Sequence, residues 1–84
     1  MVNTAAPWIR VKLITKSDTV DIVTGPPDAI YVGGAGTITL LSVSGEAWDT
    51  ITAVAGLLIP TGRNVKRVMS TGTAATVFSA VYYT

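Results

Sequence analysis

Residues 8–15 read Trp8-Ile9-Arg10-Val11-Lys12-Leu13-Ile14-Thr15. Ile9, Val11 and Leu13 alternate with Arg10 and Lys12, the period-two signature of a strand with one buried and one wet face. No window of the chain sustains a 3.6-residue apolar period over three turns, so this alternation sets the class. The chemistry on either side agrees. Thr, Val and Ile number 13, 11 and 7 of the 84 residues, and these stiff β-branched side chains pack well on a pleated surface. Gly and Pro punctuate the chain at intervals of about ten residues, the spacing of short strands joined by turns. The expectation is all-β: a small antiparallel β-sandwich or barrel, jelly-roll-like, of six to seven short strands.

After the first strand, Thr19 to Val23 reads as a short strand or an extended link, ended by Gly25-Pro26-Pro27-Asp28 because two prolines cannot donate to a ladder. Ala29 to Val32 is an apolar strand. Gly33-Gly34-Ala35-Gly36 permits positive φ and is expected to join it as a hairpin to the next strand, Thr37 to Ser44. Ala47 to Ala53 follows, with Trp48, Thr50 and Thr52 opposite Asp49, Ile51 and Ala53. Val54 to Gly62, broken by Gly56 and Pro60, reads as a connection crossing the core. Asn64 to Ser70 places Val65 and Met69 on one side and Lys66 and Val68 on the other. Thr76 to Tyr83 closes the domain. The division is residues 1–7 as an N-terminal arm and 8–84 as a single β domain.

Composition narrows function. Only 13% of residues are charged, about half the usual share of roughly 25%. There is no Cys and no His, which removes thiol nucleophiles, disulfides, the usual zinc sites and Ser-His-Asp triads. A chain of 8.7 kDa buries only about 60% of its extended surface. Without disulfides or metal, association is the expected support for so thin a core. The net charge of +1 is no footprint for nucleic acid or an anionic membrane. The longest uncharged runs, Ala29–Gly45 and Val68–Thr84, are broken by Gly, Ser and Thr and do not read as membrane spans.

The candidate chemistry is sparse. The Gly33–Gly36 loop lacks the Lys-Ser/Thr of a phosphate-binding P-loop and reads as a tight turn. Asp18 and Asp21, three apart, face opposite sides of an extended chain and read as turn acids, with Ser17 and Asp18 capping a bend. Glu46 and Asp49 flank Trp48 in a faint echo of a glycosidase pair, on a chain too small for a sugar cleft. Arg63, Lys66 and Arg67 form the basic cluster. No interleaved aromatics are there for base stacking, so an exposed strand face or a salt-bridge patch against a partner subunit is expected. Tyr82 and Tyr83 are adjacent, so one points in and one out; an outward Tyr is a common interface anchor. The expected subunit or partner contacts are Trp8, Tyr31, Trp48, Arg63, Lys66, Arg67, Tyr82 and Tyr83. No catalytic, cofactor or metal residue is expected.

Four segments carry a resemblance: Asp21-Ile22; Asp28-Ala29-Ile30-Tyr31-Val32-Gly33-Gly34-Ala35-Gly36-Thr37-Ile38; Leu57-Leu58-Ile59-Pro60; and Val65-Lys66-Arg67-Val68-Met69-Ser70-Thr71-Gly72-Thr73-Ala74-Ala75-Thr76. In this order they resemble the head spike base proteins of tailed phages and phage-like gene transfer agents, over roughly residues 17–81. The first-strand segment Trp8–Ile14 lies ahead of the family's Ser-Asp entry, here Ser17-Asp18. Gly56-Leu57 stands where the family has Gly-Thr. The resemblance implies a non-enzymatic virion structural protein on the capsid surface. Such a subunit would form a homo-oligomer, a ring such as a pentamer or trimer, dock on the major capsid protein and support a spike or fibre protein. A capsid decoration protein is the close variant. A glycan- or receptor-binding β-module is the alternative from another class, motivated by Trp48 beside Asp49 and by the aromatics. Cofactors, nucleic acid and membrane are not expected.

Overall fold

The computed structural model describes residues 10–83. Eight short strands run in chain order: β1 (Arg10–Leu13), β2 (Ala29–Val32), β3 (Gly36–Ile38), β4 (Leu40–Ser42), β5 (Ile51–Ala53), β6 (Leu57–Pro60), β7 (Val65–Val68) and β8 (Phe78–Tyr82). All pairings are antiparallel. One sheet has the order β1-β8-β2-β6, and two ribbons, β3-β5 and β4-β7, complete the architecture. This is the small all-β, sandwich-type fold that the alternation and β-branched content call for. The expected arm, residues 1–7, lies outside the described residues, as does Trp8.

Register defines the faces of the sheet. Ile14, Phe78, Val32 and Leu57 form one row, and Lys12, Ala80, Ile30 and Ile59 the next. This face meets Ile38 and Leu40 of the ribbons and Val65 and Val68 of β7, all at or near zero exposure. Burying each such aliphatic side chain stabilises the fold by about 1.5–3 kcal/mol.

Four expectations are corrected. The segment Thr37–Ser44 is not one strand: it breaks at Thr39, and the chain changes partner from β5 to β7. Thr39 is held at that corner on several sides. Its N–H donates to Thr73 Oγ1 (2.9 Å), its carbonyl accepts from Met69 N (2.8 Å), and its hydroxyl meets Thr50 Oγ1 (2.9 Å). Corners of this kind let a strand pass between sheets. The Gly33–Gly36 turn is likewise no hairpin, because β2 lies between β8 and β6 while β3 pairs with β5. It carries the chain from sheet to ribbon.

The stretch Val54–Gly62, expected as a connection, contains β6. Pro60 is tolerated because β6 is an edge. Thr61 N donates to Asp28 O, so by alternation the Pro60 nitrogen faces away from β2, where no donor is needed. Fourth, Val65 and Val68 are both buried, although period two would part them. The register shifts by one opposite Leu41–Ser42, so Lys66 is the extra residue of a β-bulge that turns both valines inward. The Lys66 carbonyl, released from the ladder, accepts from Ile22 N at 2.8 Å. Thr19–Val23 forms no strand and is the extended link.

Candidate functional site

The opening alternation holds geometrically but not in burial. Arg10, Val11, Lys12 and Leu13 are all exposed, with Leu13 at 78% and Val11 at 48%. The reason is position. β1 is a sheet edge, and Val11 and Leu13 lie on the face turned away from the core.

Register assembles that outer face. One row runs Leu13–Ser79–Tyr31–Leu58 and the next Val11–Val81–Ala29–Pro60. No residue in either row is charged. Ala29 and Val81 are fully buried, whereas Leu13, Val11 and Tyr31 are exposed. Antiparallel sheets that face water normally carry polar residues on the wet side. An uncharged, partly exposed sheet face is a surface suited to contact. Leu13, Val20 and Val23, the last 94% exposed, extend apolar surface along β1 into the loop that follows it. The sequence pattern does not single out these three exposed aliphatics. Each is a large aliphatic close to charged or turn residues, and nothing local in the sequence says that it stays exposed.

Two members of the basic cluster, Arg63 and Arg67, pair with acids of their own chain. Arg63 lies at φ 64, in the left-handed region, next to Gly62 at φ 58. Both are central residues of a turn closed by Asn64 N donating to Thr61 O at 3.0 Å. This conformation aims the guanidinium at Asp28, with Nε donating to Oδ1 at 2.9 Å and Nη2 to Oδ2 at 3.3 Å. Tyr83 N donates to Asp28 Oδ2 at 2.8 Å. These bonds, the Arg63 one above all, hold the Asp28 carboxyl below the usual carboxylate range and raise Arg63.

Arg67 acts as a second clasp. Its Nε and Nη2 donate to Asp21 Oδ1 at 2.8 and 2.6 Å, and its Nη1 donates to Asp18 O at 2.9 Å. Asp18 reaches further. Its carboxylate accepts from the Thr71 hydroxyl at 2.6 Å and from Thr71 N at 2.8 Å, which lowers its pKa. Ser17 caps the bend as expected, accepting from Thr19 N and Val20 N at 3.1 and 3.0 Å. The turn acids therefore pin the link of residues 17–21 to β7 and the turn that follows it.

The aromatics separate. Tyr82 is 3% exposed, and its hydroxyl donates to Gly25 O at 2.6 Å and meets Thr24 Oγ1 at 2.5 Å. Arg10 sits over its ring, 4.4 Å from the centroid. Tyr82 is thus a core residue of its own chain, and Tyr83 is half-buried beside it. Trp48 packs against the core, and its backbone N–H donates to Leu40 O at 2.8 Å, while Glu46 and Asp49 are exposed. Tyr31 stands on the outer face. Lys66 is half-buried on the bulge. Among the described residues no group of three or more His, Cys, Asp or Glu could hold a metal ion.

No protein-family model matches the sequence, and no curated protein matches it. Among solved structures, the chain is similar to a chain of one described as "Capsid of native GTA particle computed with C5 symmetry". The two share 32% sequence identity and superpose with a TM-score of 0.79, over 96% of this chain and 90% of that chain.

Proposed function

The chain belongs to the family of that GTA capsid-particle protein, and from this premise we propose that it is a virion structural protein, an oligomeric head spike base or capsid decoration subunit of a phage-like particle. It sits on the capsid surface, contacts the major capsid protein and supports a spike or fibre protein, without enzymatic activity. The observation that carries the oligomeric part is the outer sheet face, with Leu13, Val11 and Tyr31 exposed and no charge in either cross-strand row. On this reading a second copy covers that face. Chains with this little charge have surface to give to neighbours, since free monomers of this size carry about 25–35% charged surface.

The test is light scattering at micromolar concentration, paired with mass spectrometry of intact particles. The expected result is a ring-sized mass for the wild type and a monomer for Tyr31→Asp with its circular dichroism unchanged. A monomeric wild type would refute the oligomer, and absence from purified particles would refute the virion role.

A further inference from the structure

The two edges of the four-stranded sheet are not equivalent. At β6, Pro60 removes a donor from the open side. At β1, among the described residues, no proline interrupts the open side. Ile14 N donates to Phe78 O at 3.0 Å, so alternation places Lys12 and Arg10 in the hydrogen-bonded pairs with Ala80 and Tyr82. The N–H and C=O groups of Val11 and Leu13 therefore point outward, away from β8. A groove of about 520 Å³ opens beside the end of β1, lined by Lys12 and Leu13 and by the link that follows, including Val20, Asp21, Ile22 and Val23. That volume falls in the range of about 300–1,000 Å³ usual for ligand clefts.

We propose that the open edge of β1 is a strand-addition site for an extended segment of a partner protein in which apolar and acidic side chains alternate. Backbone groups of Val11 and Leu13 supply the ladder, as in other strand-addition complexes. Side-chain chemistry sets the partner. A strand added here meets Val11 and Leu13 on one face and the exposed cations Arg10 and Lys12 on the other. Apolar residues match the first face and carboxylates the second.

This chain does not supply such a segment itself. Its five acids are Asp18, Asp21, Asp28, Glu46 and Asp49. The first three are engaged by Thr71, Arg67 and Arg63, and the last two are three residues apart, which puts them on opposite faces of a strand. None of these 84 residues forms such a segment, so the occupant we propose is a partner protein. The inference goes beyond the spike-base reading: its ladder comes from the backbone edge of β1, although the side chains of Val11 and Leu13 also belong to the outer face.

The experiment is residue-resolved amide exchange on the full chain by NMR, with a blocked Thr-Val-Asp-Val-Glu-Val-Asp-Thr peptide as probe. At saturation the Val11 and Leu13 amides should slow by about tenfold or more, while the already paired Lys12 amide does not change. A peptide with Lys in place of each acid should bind about tenfold more weakly, and Lys12→Glu, which leaves Arg10 beside a new carboxylate, should abolish that preference. No binding at millimolar peptide, equal binding of the two peptides, or binding that leaves Val11 and Leu13 unprotected would overturn the proposal. So would protection of these amides in the free protein that grows with its concentration, since that assigns the edge to a second copy. Ring assembly is read separately by light scattering, so either result can fail alone.

Discussion

Replacing Gly36 by Ala tests the packing of the Gly-rich turn most directly. Gly36 lies at φ +147, and a Cβ there would come within 2.7 Å of Ala75 N and 2.8 Å of the Ala74 carbonyl carbon. Those atoms cannot retreat easily. Ala74 N and Ala75 N both donate to Thr37 O, at 2.8 and 2.9 Å, and Ala75 is 1% exposed. The unfavourable φ costs about 1–3 kcal/mol. Forcing an extra carbon against fixed backbone adds about 1–3 kcal/mol. The total, about 2–6 kcal/mol, is a large part of the stability of an 84-residue domain, about 4–13 kcal/mol. Gly45→Ala is the control, because Gly45 has φ +92 with nothing within 4 Å of its Cβ position. It carries the φ cost alone. Urea unfolding at fixed protomer concentration should place Gly36→Ala below Gly45→Ala by about 1–3 kcal/mol. Equal losses in the two variants would refute the close approach of Ala74 and Ala75 as the reason for glycine at this position.

Arg67→Ala should release the residue 17–21 link at a cost of about 1–2 kcal/mol in thermal unfolding, with faster proteolysis there; Arg67→Lys should rescue little, since a point charge cannot reach both Asp21 and the Asp18 carbonyl. Asp18 and Asp28 both have lowered pKa values, so below the ordinary carboxylate range the unfolded chain binds the more protons, and the stability they give is complete above about pH 4 and lost as pH falls through their folded values. A melting-temperature series from acid to neutral pH should show that acid limb in the wild type and a shallower one in Asp28→Asn; identical limbs would sink the assignment.

The parts of this fold that one strand's own pattern can specify were legible. Ala29–Val32 emerges with its expected bounds, and Ile38 and Leu40 bury as their alternation implies. What failed depends on partners. Val11 and Leu13 alternate as core residues do, but only knowing that β1 is an edge says that they face outward. Pro60 argued against a strand until β6 proved to be an edge as well. Lys66 gives no local sign of a bulge, because the shift exists only relative to Leu41 and Ser42. The candidate contacts divide on the same line. Arg63 and Arg67 were visible as a cluster, but their acids lie 35 and 46 residues away in sequence. Tyr82 was legible as one of an inward–outward pair, and the hydroxyl bond to Gly25 shows which way it points.

The position of β8 governs how the protein can be made. This strand, last in the chain order, lies between β1, the first, and β2. Until it leaves the ribosome, β1 has no neighbour and the sheet cannot close. Pairings this distant in sequence place the domain among the slow folders, those that take milliseconds to seconds. The nascent chain thus cannot form the outer face piecemeal, because the rows that cross the sheet come into register only with Ser79 and Val81 in place. An incomplete chain therefore presents no assembled outer face.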